Sequence, residues 1–129
     1  MNAEGGKRLN LLVVDDSVMM RAMIKRAAGL SKVPLGTIYE ASNGEEALRL
    51  LEHTSVDAVF TDINMPVMTG LELLQAIDRQ ERWRNVLRVI ISTDGSAVQR
   101  EQANLLHAFQ YVEKPFRPEA IRDVLASLL

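Results

Sequence analysis

The chain has 129 residues, 47% hydrophobic and 25% charged, with a formal net charge of −2 and no cysteine. That length suits one domain able to bury roughly two thirds of its unfolded surface, and the composition is that of an ordered globular protein. It excludes a disulfide framework, a thiolate metal site, a membrane-spanning run, and the basic field that nucleic acid or an anionic membrane would require.

Residues 1–8 are polar and contain two glycines, and they read as a disordered lead-in without the apolar core of a signal peptide. A cytoplasmic protein with no effector domain after its last helix is the expectation. Leu9–Val14 is an almost unbroken apolar run, as in a strand buried on both faces of a parallel sheet. Ser17–Leu30 carries Met20, Ile24, Ala27 and Ala28 at helical spacing, with Gly29 near its end. Thr37–Ala41 reads as a short second strand. Ser42-Asn43-Gly44 is turn chemistry leading into a helix over Glu45–His53, where Ala47, Leu48 and Leu51 form the apolar stripe.

A third strand over Asp57–Thr61 precedes a helix over Thr69–Glu81, with Leu71, Leu74 and Ile77 inward. Leu87–Ile91, rich in β-branched residues, is the fourth strand. Ser96–His107 is the fourth helix, Phe109–Val112 the fifth strand, and Pro118–Leu129 the last helix, with proline in its first turn. Arg79, Arg82, Arg84 and Arg88 form the nearest approach to a basic cluster; interleaved with Asp78 and Glu81, they read as a solvated helix end. Strict strand–helix alternation implies an α/β fold, a parallel sheet with helices on both faces. Ligands of such sheets bind beyond the carboxyl ends of the strands.

Four polar groups stand at those ends. Asp15-Asp16, Asp62, Ser92 and Lys114 each close an apolar run, so parallel strands would bring three carboxylates, a hydroxyl and an ammonium to one edge. Taken alone, the adjacent Asp15-Asp16 serves equally as a cap for the next helix. A third carboxylate from Asp62 tips the pair toward a divalent cation with oxygen ligands, Mg²⁺ or Mn²⁺. Asp62, followed by Ile63-Asn64-Met65-Pro66, heads a turn that would leave its carboxylate exposed. A carboxylate so placed attacks phosphorus to form an aspartyl-phosphate when a donor is in line and the charge is neutralised. The Ser92 hydroxyl could donate to a phosphoryl oxygen, or bond its own turn. Lys114 precedes Pro115, which restricts where its stem leaves the strand. Its ammonium could pair with Asp62 before phosphorylation and with the phosphate after. His53 and His107 lack partners at metal-ligand spacing.

The stretches LLVVDDSVMMR, EASNGEEAL, DAVFTDINMPVMTGLELL, VIISTDGS and YVEKPF, in that order, resemble the receiver domain of two-component response regulators over residues 9–129. The intervals of 30 residues from Asp62 to Ser92 and 22 from Ser92 to Lys114 also fit. The resemblance implies a stand-alone, chemotaxis-type receiver with the flavodoxin-like strand order 2-1-3-4-5. It further implies that Asp62 is the phosphoacceptor. Mg²⁺ would be held by Asp16, Asp62 and the backbone carbonyl of Asn64, with Asp15 acting through water. Ser92 and Tyr111 would be the switch pair and Lys114 the family's lysine. Phosphorylation by a sensor histidine kinase or phosphotransfer protein would then alter the face made by the fourth helix, fifth strand and fifth helix. A downstream protein target or a phosphorylation-dependent dimer would read that face. Such a protein turns over no independent substrate, catalysing only its own phosphorylation and dephosphorylation. For Tyr111 the alternative is a core aromatic with a satisfied hydroxyl.

His107 departs from the family by standing where glycine is frequent, at a cost if its backbone is left-handed. Asn64 and Asp94, two positions after Asp62 and Ser92, hint at a short-lived phosphoryl group. Two competing functions are an unphosphorylated receiver-like scaffold and a phosphohydrolase of the haloacid dehalogenase type. The scaffold would be expected to have lost some of Asp16, Asp62, Ser92 and Lys114, and the hydrolase to show Asp-x-Asp at the first strand. Neither pattern occurs.

Overall fold

The computed structural model describes residues 7–129. Most of the expected lead-in, residues 1–6, therefore lies outside the described residues. Five strands, β1 (Leu9–Val14), β2 (Leu35–Ala41), β3 (Ala58–Thr61), β4 (Leu87–Ser92) and β5 (Gln110–Glu113), form one sheet in the order β2-β1-β3-β4-β5. All four pairings are parallel. The connecting helices are α1 (Val18–Leu30), α2 (Gly44–His53), α3 (Gly70–Asp78), α4 (Ala97–Leu105) and α5 (Pro118–Ser127). None is long and apolar enough to cross a membrane.

Successive residues of a strand face opposite sides, so the apolar run of β1 feeds two cores. Leu9, Leu11 and Val13 pack with Ile24, Ala27 and Ala28 of α1 and Ile121, Val124 and Leu125 of α5. Leu12 and Val14 pack on the other face, with Ala47 and Leu51 of α2 and Leu73 and Ile77 of α3. A third cluster on that side joins Ile63, Leu74, Ile90 and Ala103. The chain leaves β1 toward one face and β3 toward the other, so the ends of these adjacent strands bound a crevice.

Local chemistry sets the helix starts. Ser17, Asn43, Thr69 and Ser96 each cap their helix by accepting the N–H three residues on. Thr69 and Glu72 complete a reciprocal capping box.

Two of the expectations need correction. The third helix ends at Asp78 rather than Glu81: Gln80 is extended, and a 3₁₀ turn over Glu81–Trp83 follows. That break turns Trp83 into the α2–α3 core, where it is buried. Arg88 is not part of a solvated helix end. It lies in β4 with 4% of its surface exposed, donating to Asp78 (3.1 Å) and to the carbonyls of Leu106 (3.2 Å) and Trp83 (3.4 Å). His107 does have the left-handed backbone (φ 64) that carries a cost for a non-glycine residue, and its Nδ1 lies 2.8 Å from the same Asp78 oxygen.

Candidate functional site

Asp15, Asp62 and Lys114 are each held in place by extending a strand ladder one step. The Asp15 N–H donates to the Ala41 carbonyl (3.1 Å), Asp62 N–H to Val14 (3.0 Å) and Lys114 N–H to Ser92 (2.9 Å). The hydrogen bonds that build the sheet therefore also set the backbone of the site. Asp15, Asp16 and Asp62 each offer a carboxylate oxygen within 4.8 Å of the others.

Lys114 joins two of them. Its Nζ donates to Asp62 Oδ2 (3.1 Å), the expected partner, and also to Asp15 Oδ2 (2.8 Å). Burial pulls the ammonium's pKa down; the Asp15 hydrogen bond and the charges of Asp62 and Asp15 outweigh it and leave the pKa above its ordinary value. The other Asp15 oxygen accepts the Ser17 N–H (2.9 Å), so this residue does brace the start of α1 as well. Its backbone carbonyl accepts from Arg21 (2.6 Å). Asp16 is exposed and forms no hydrogen bond or ion pair among the described residues.

The Asp62 side chain is only 12% exposed, which corrects the expectation of an exposed carboxylate. Lys114 covers one oxygen, and the Ile63 N–H donates to the other (2.7 Å). The loop beyond is fastened twice. Gly70 N–H donates to the Ile63 carbonyl (2.8 Å) and Gly44 N–H to Met68 (3.3 Å). A Cβ on Gly70 would lie 1.9 Å from the Asp62 carbonyl oxygen, so only glycine lets α3 begin this close to the site. In the same loop Val67 has φ 70, a conformation rare for a β-branched residue. Asn64 is exposed between the buried Ile63 and Met65.

Ser92 is fully buried, and its hydroxyl accepts the Asp94 N–H (3.2 Å). Tyr111 is half-buried; its hydroxyl donates to the Asp94 carbonyl, and its ring packs on the Ile90–Ala103 cluster. Burial, then the Asp94 charge, raises its pKa.

Three carboxylates against one ammonium leave the crevice with an excess of negative charge. An all-oxygen donor set without histidine or cysteine fits a hard divalent cation. An electrophilic group bearing its own negative oxygens could approach Asp62 once that charge is offset.

Comparison with known proteins gives the same direction. The family model of the response regulator receiver domain matches residues 11–126. A chemotaxis protein CheY homolog of Campylobacter jejuni is 33% identical over 122 residues, 94% of this chain and 92% of that protein. Chemotaxis protein CheY1 of Helicobacter pylori is also 33% identical, over 94% of this chain and 97% of its own. Among solved structures, the chemotaxis response regulator CheY4 of Vibrio cholerae superposes with a TM-score of 0.84 at 28% identity, covering 95% of this chain and 100% of that one.

Proposed function

The chain belongs to the response regulator receiver domain family of two-component signalling, and from that premise we propose that it is a Mg²⁺-dependent phosphoacceptor whose modified residue is Asp62. The observation that carries this reading is the Lys114 ammonium bridging Asp15 and Asp62 beside the unpaired Asp16. Mg²⁺, or Mn²⁺ in its place, would be held by the Asp16 and Asp62 carboxylates and the Asn64 backbone carbonyl, and when bound would supply neutralising charge for phosphoryl oxygens. Asp15, with both oxygens already engaged by Lys114 and the Ser17 N–H, would act through water.

The donor is a phosphohistidine on a sensor kinase or phosphotransfer protein. The ionised Asp62 carboxylate attacks phosphorus, a P–O bond forms, and the P–N bond breaks with its electron pair returning to the imidazole. Lys114 exchanges its hold on Asp62 for a phosphoryl oxygen, keeping Asp15 as its second partner. Hydrolysis removes the modification: water attacks phosphorus, the P–O bond to Asp62 breaks with its electron pair returning to the carboxylate, and inorganic phosphate departs. The Ser92 hydroxyl turns toward the phosphoryl group, and the space it leaves favours the Tyr111 position in which the tyrosine hydroxyl meets the Asp94 carbonyl. The α4-β5-α5 surface then changes its affinity for a protein target in the cytoplasm.

Intact-mass measurement after incubation with acetyl phosphate or phosphoramidate tests the reading. Wild type should gain one phosphoryl group with Mg²⁺ and none in EDTA, and Asp62→Ala should gain none. A folded wild-type protein that gains nothing from either donor would support the unphosphorylated scaffold instead.

A further inference from the structure

Around Tyr111 a set of contacts has no part in the chemistry above. Arg100, in α4, lies over the tyrosine ring with its guanidinium carbon 4.5 Å from the centroid. Its Nε donates to the Gly95 carbonyl (3.3 Å), and a terminal nitrogen donates to Glu113 Oε1 (2.7 Å). Glu113 is two residues beyond Tyr111 in β5, so both side chains stand on the same face of the sheet. A Cβ on Gly95 would fall 2.0 Å from Glu113 Oε2, so the glycine opens the space this carboxylate fills. One planar cation thereby ties the β4–α4 loop to β5 while its face covers the ring. The tyrosine hydroxyl is held from the other side by the Asp94 carbonyl.

We propose that Arg100 is a positioning residue for Tyr111: braced by Glu113 and Gly95, it favours the ring position in which the hydroxyl is bonded to Asp94, and so strengthens phosphoryl-group binding at Asp62. This rests on the switch reading of Ser92 and Tyr111 given above. The connection is short. Asp94 N–H donates to the Ser92 hydroxyl, and the Ser92 carbonyl accepts the N–H of Lys114, which itself touches Asp62. A contact that favours the tyrosine position selected by phosphorylation raises phosphoryl affinity by the same factor, because the coupling is reciprocal. The Arg100 and Glu113 side chains are 43% and 55% exposed, so their ion pair alone contributes little. The stacking contact sets the scale, roughly two- to five-fold in affinity.

Beryllofluoride with Mg²⁺ is the probe, titrated by ¹⁹F NMR into wild type, Arg100→Ala, Arg100→Lys and Glu113→Gln. Nuclear Overhauser contacts between the Tyr111 ring and the Ala103 methyl report ring position, with Tyr39 in the opposite edge strand as control. Arg100→Ala should weaken both the contacts and the beryllofluoride affinity, by roughly two- to five-fold for the latter, and Arg100→Lys should not restore them. Glu113→Gln separates the clamp from a general charge effect. Deleting a negative charge would raise anion affinity by simple electrostatics, whereas loss of the brace lowers it. Unchanged Tyr111 contacts in Arg100→Ala, or tighter beryllofluoride binding in Glu113→Gln, would overturn the proposal. So would displaced Tyr111 contacts with unaltered affinity. If wild type binds no beryllofluoride, the phosphoacceptor reading fails and the coupling to Asp62 fails with it, while the ring contacts still decide whether Arg100 positions Tyr111.

Discussion

Replacing Lys114 with methionine keeps most of the side-chain stem and deletes the one cation that, among the described residues, touches both Asp15 and Asp62. Lys114 is 10% exposed and Asp15 2%, so the carboxylate left behind has little access to water. Removing one partner of such a pair costs about 3–5 kcal/mol, and the open side at Asp16 argues for the lower end, about 3 kcal/mol. Set against a total stability of about 5–15 kcal/mol, the loss would be plain in urea denaturation. The folded-state pKa of Lys114 is raised, so its contribution is complete below the ordinary lysine value and lost only as pH rises through the raised one, above about 10.4. At pH 7 the full effect is therefore available. A divalent cation replaces part of the missing charge. A ligand at a hundredfold excess over its dissociation constant adds about 2.7 kcal/mol, so Mg²⁺ should recover most of the loss. Paired denaturation curves in EDTA and in saturating Mg²⁺ give both quantities. If Lys114→Met matches wild type in EDTA, the three carboxylates tolerate one another without the ammonium, and the electrostatic account of the site is wrong.

Three further outcomes follow from the same geometry. Asp16→Asn removes the carboxylate that has no cation partner, so stability in EDTA should rise by about 0.2–1 kcal/mol while the Mg²⁺-induced shift in Tm disappears; a retained shift would place the cation elsewhere. Gly70→Ala sets a methyl against the Asp62 carbonyl; it should cost about 1–3 kcal/mol in chemical denaturation and slow acetyl phosphate labelling, and an unaffected labelling rate would show that the loop adjusts freely. Glu40, held low by hydrogen bonds from Lys25 and then Arg21, and Glu46, held low by the Ser42 N–H and hydroxyl, favour the folded state when ionised. Their stabilisation is present above the ordinary carboxylate range and lost as pH falls through the depressed values, below about pH 4. Tm should hold steady from pH 7 to 5 and drop below that point, less steeply in Glu40→Gln; a drop between pH 7 and 5 would require a different titrating group.

The strands and the sheet edge were legible because they rest on local rules. Apolar runs bounded by polar residues mark buried parallel strands, and their ends fall where Asp15, Asp62, Ser92 and Lys114 stand. The strand order came from the resemblance, since alternation alone does not order a sheet. What remained hidden depends on partners distant in the chain. Nothing between Asp78 and Trp83 signals a helix stop, as no glycine or proline intervenes; the break follows from burying Trp83 against α2 and α3. Arg88 looked solvated because its neighbours are charged, whereas its partners come from Asp78, Trp83 and Leu106. The second strand begins at Leu35, two residues earlier than expected, where the Asn10 side chain accepts the Thr37 N–H and the bare Gly36 makes room for it. Lys114 reaches Asp15 across 99 residues of sequence, a pairing only the assembled sheet defines. The glycines at 70 and 95 were visible as letters, but their close approaches to Asp62 and Glu113 were not.

The most direct test of the account is to locate the modification chemically. Wild-type protein treated with acetyl phosphate and Mg²⁺, reduced with borohydride and mapped by peptide mass spectrometry should show homoserine at position 62, and no such conversion when Mg²⁺ is withheld. Conversion at Asp15 or Asp16 instead, or a phosphoryl group retained by a serine, threonine or histidine, would contradict the assignment of Asp62 as acceptor.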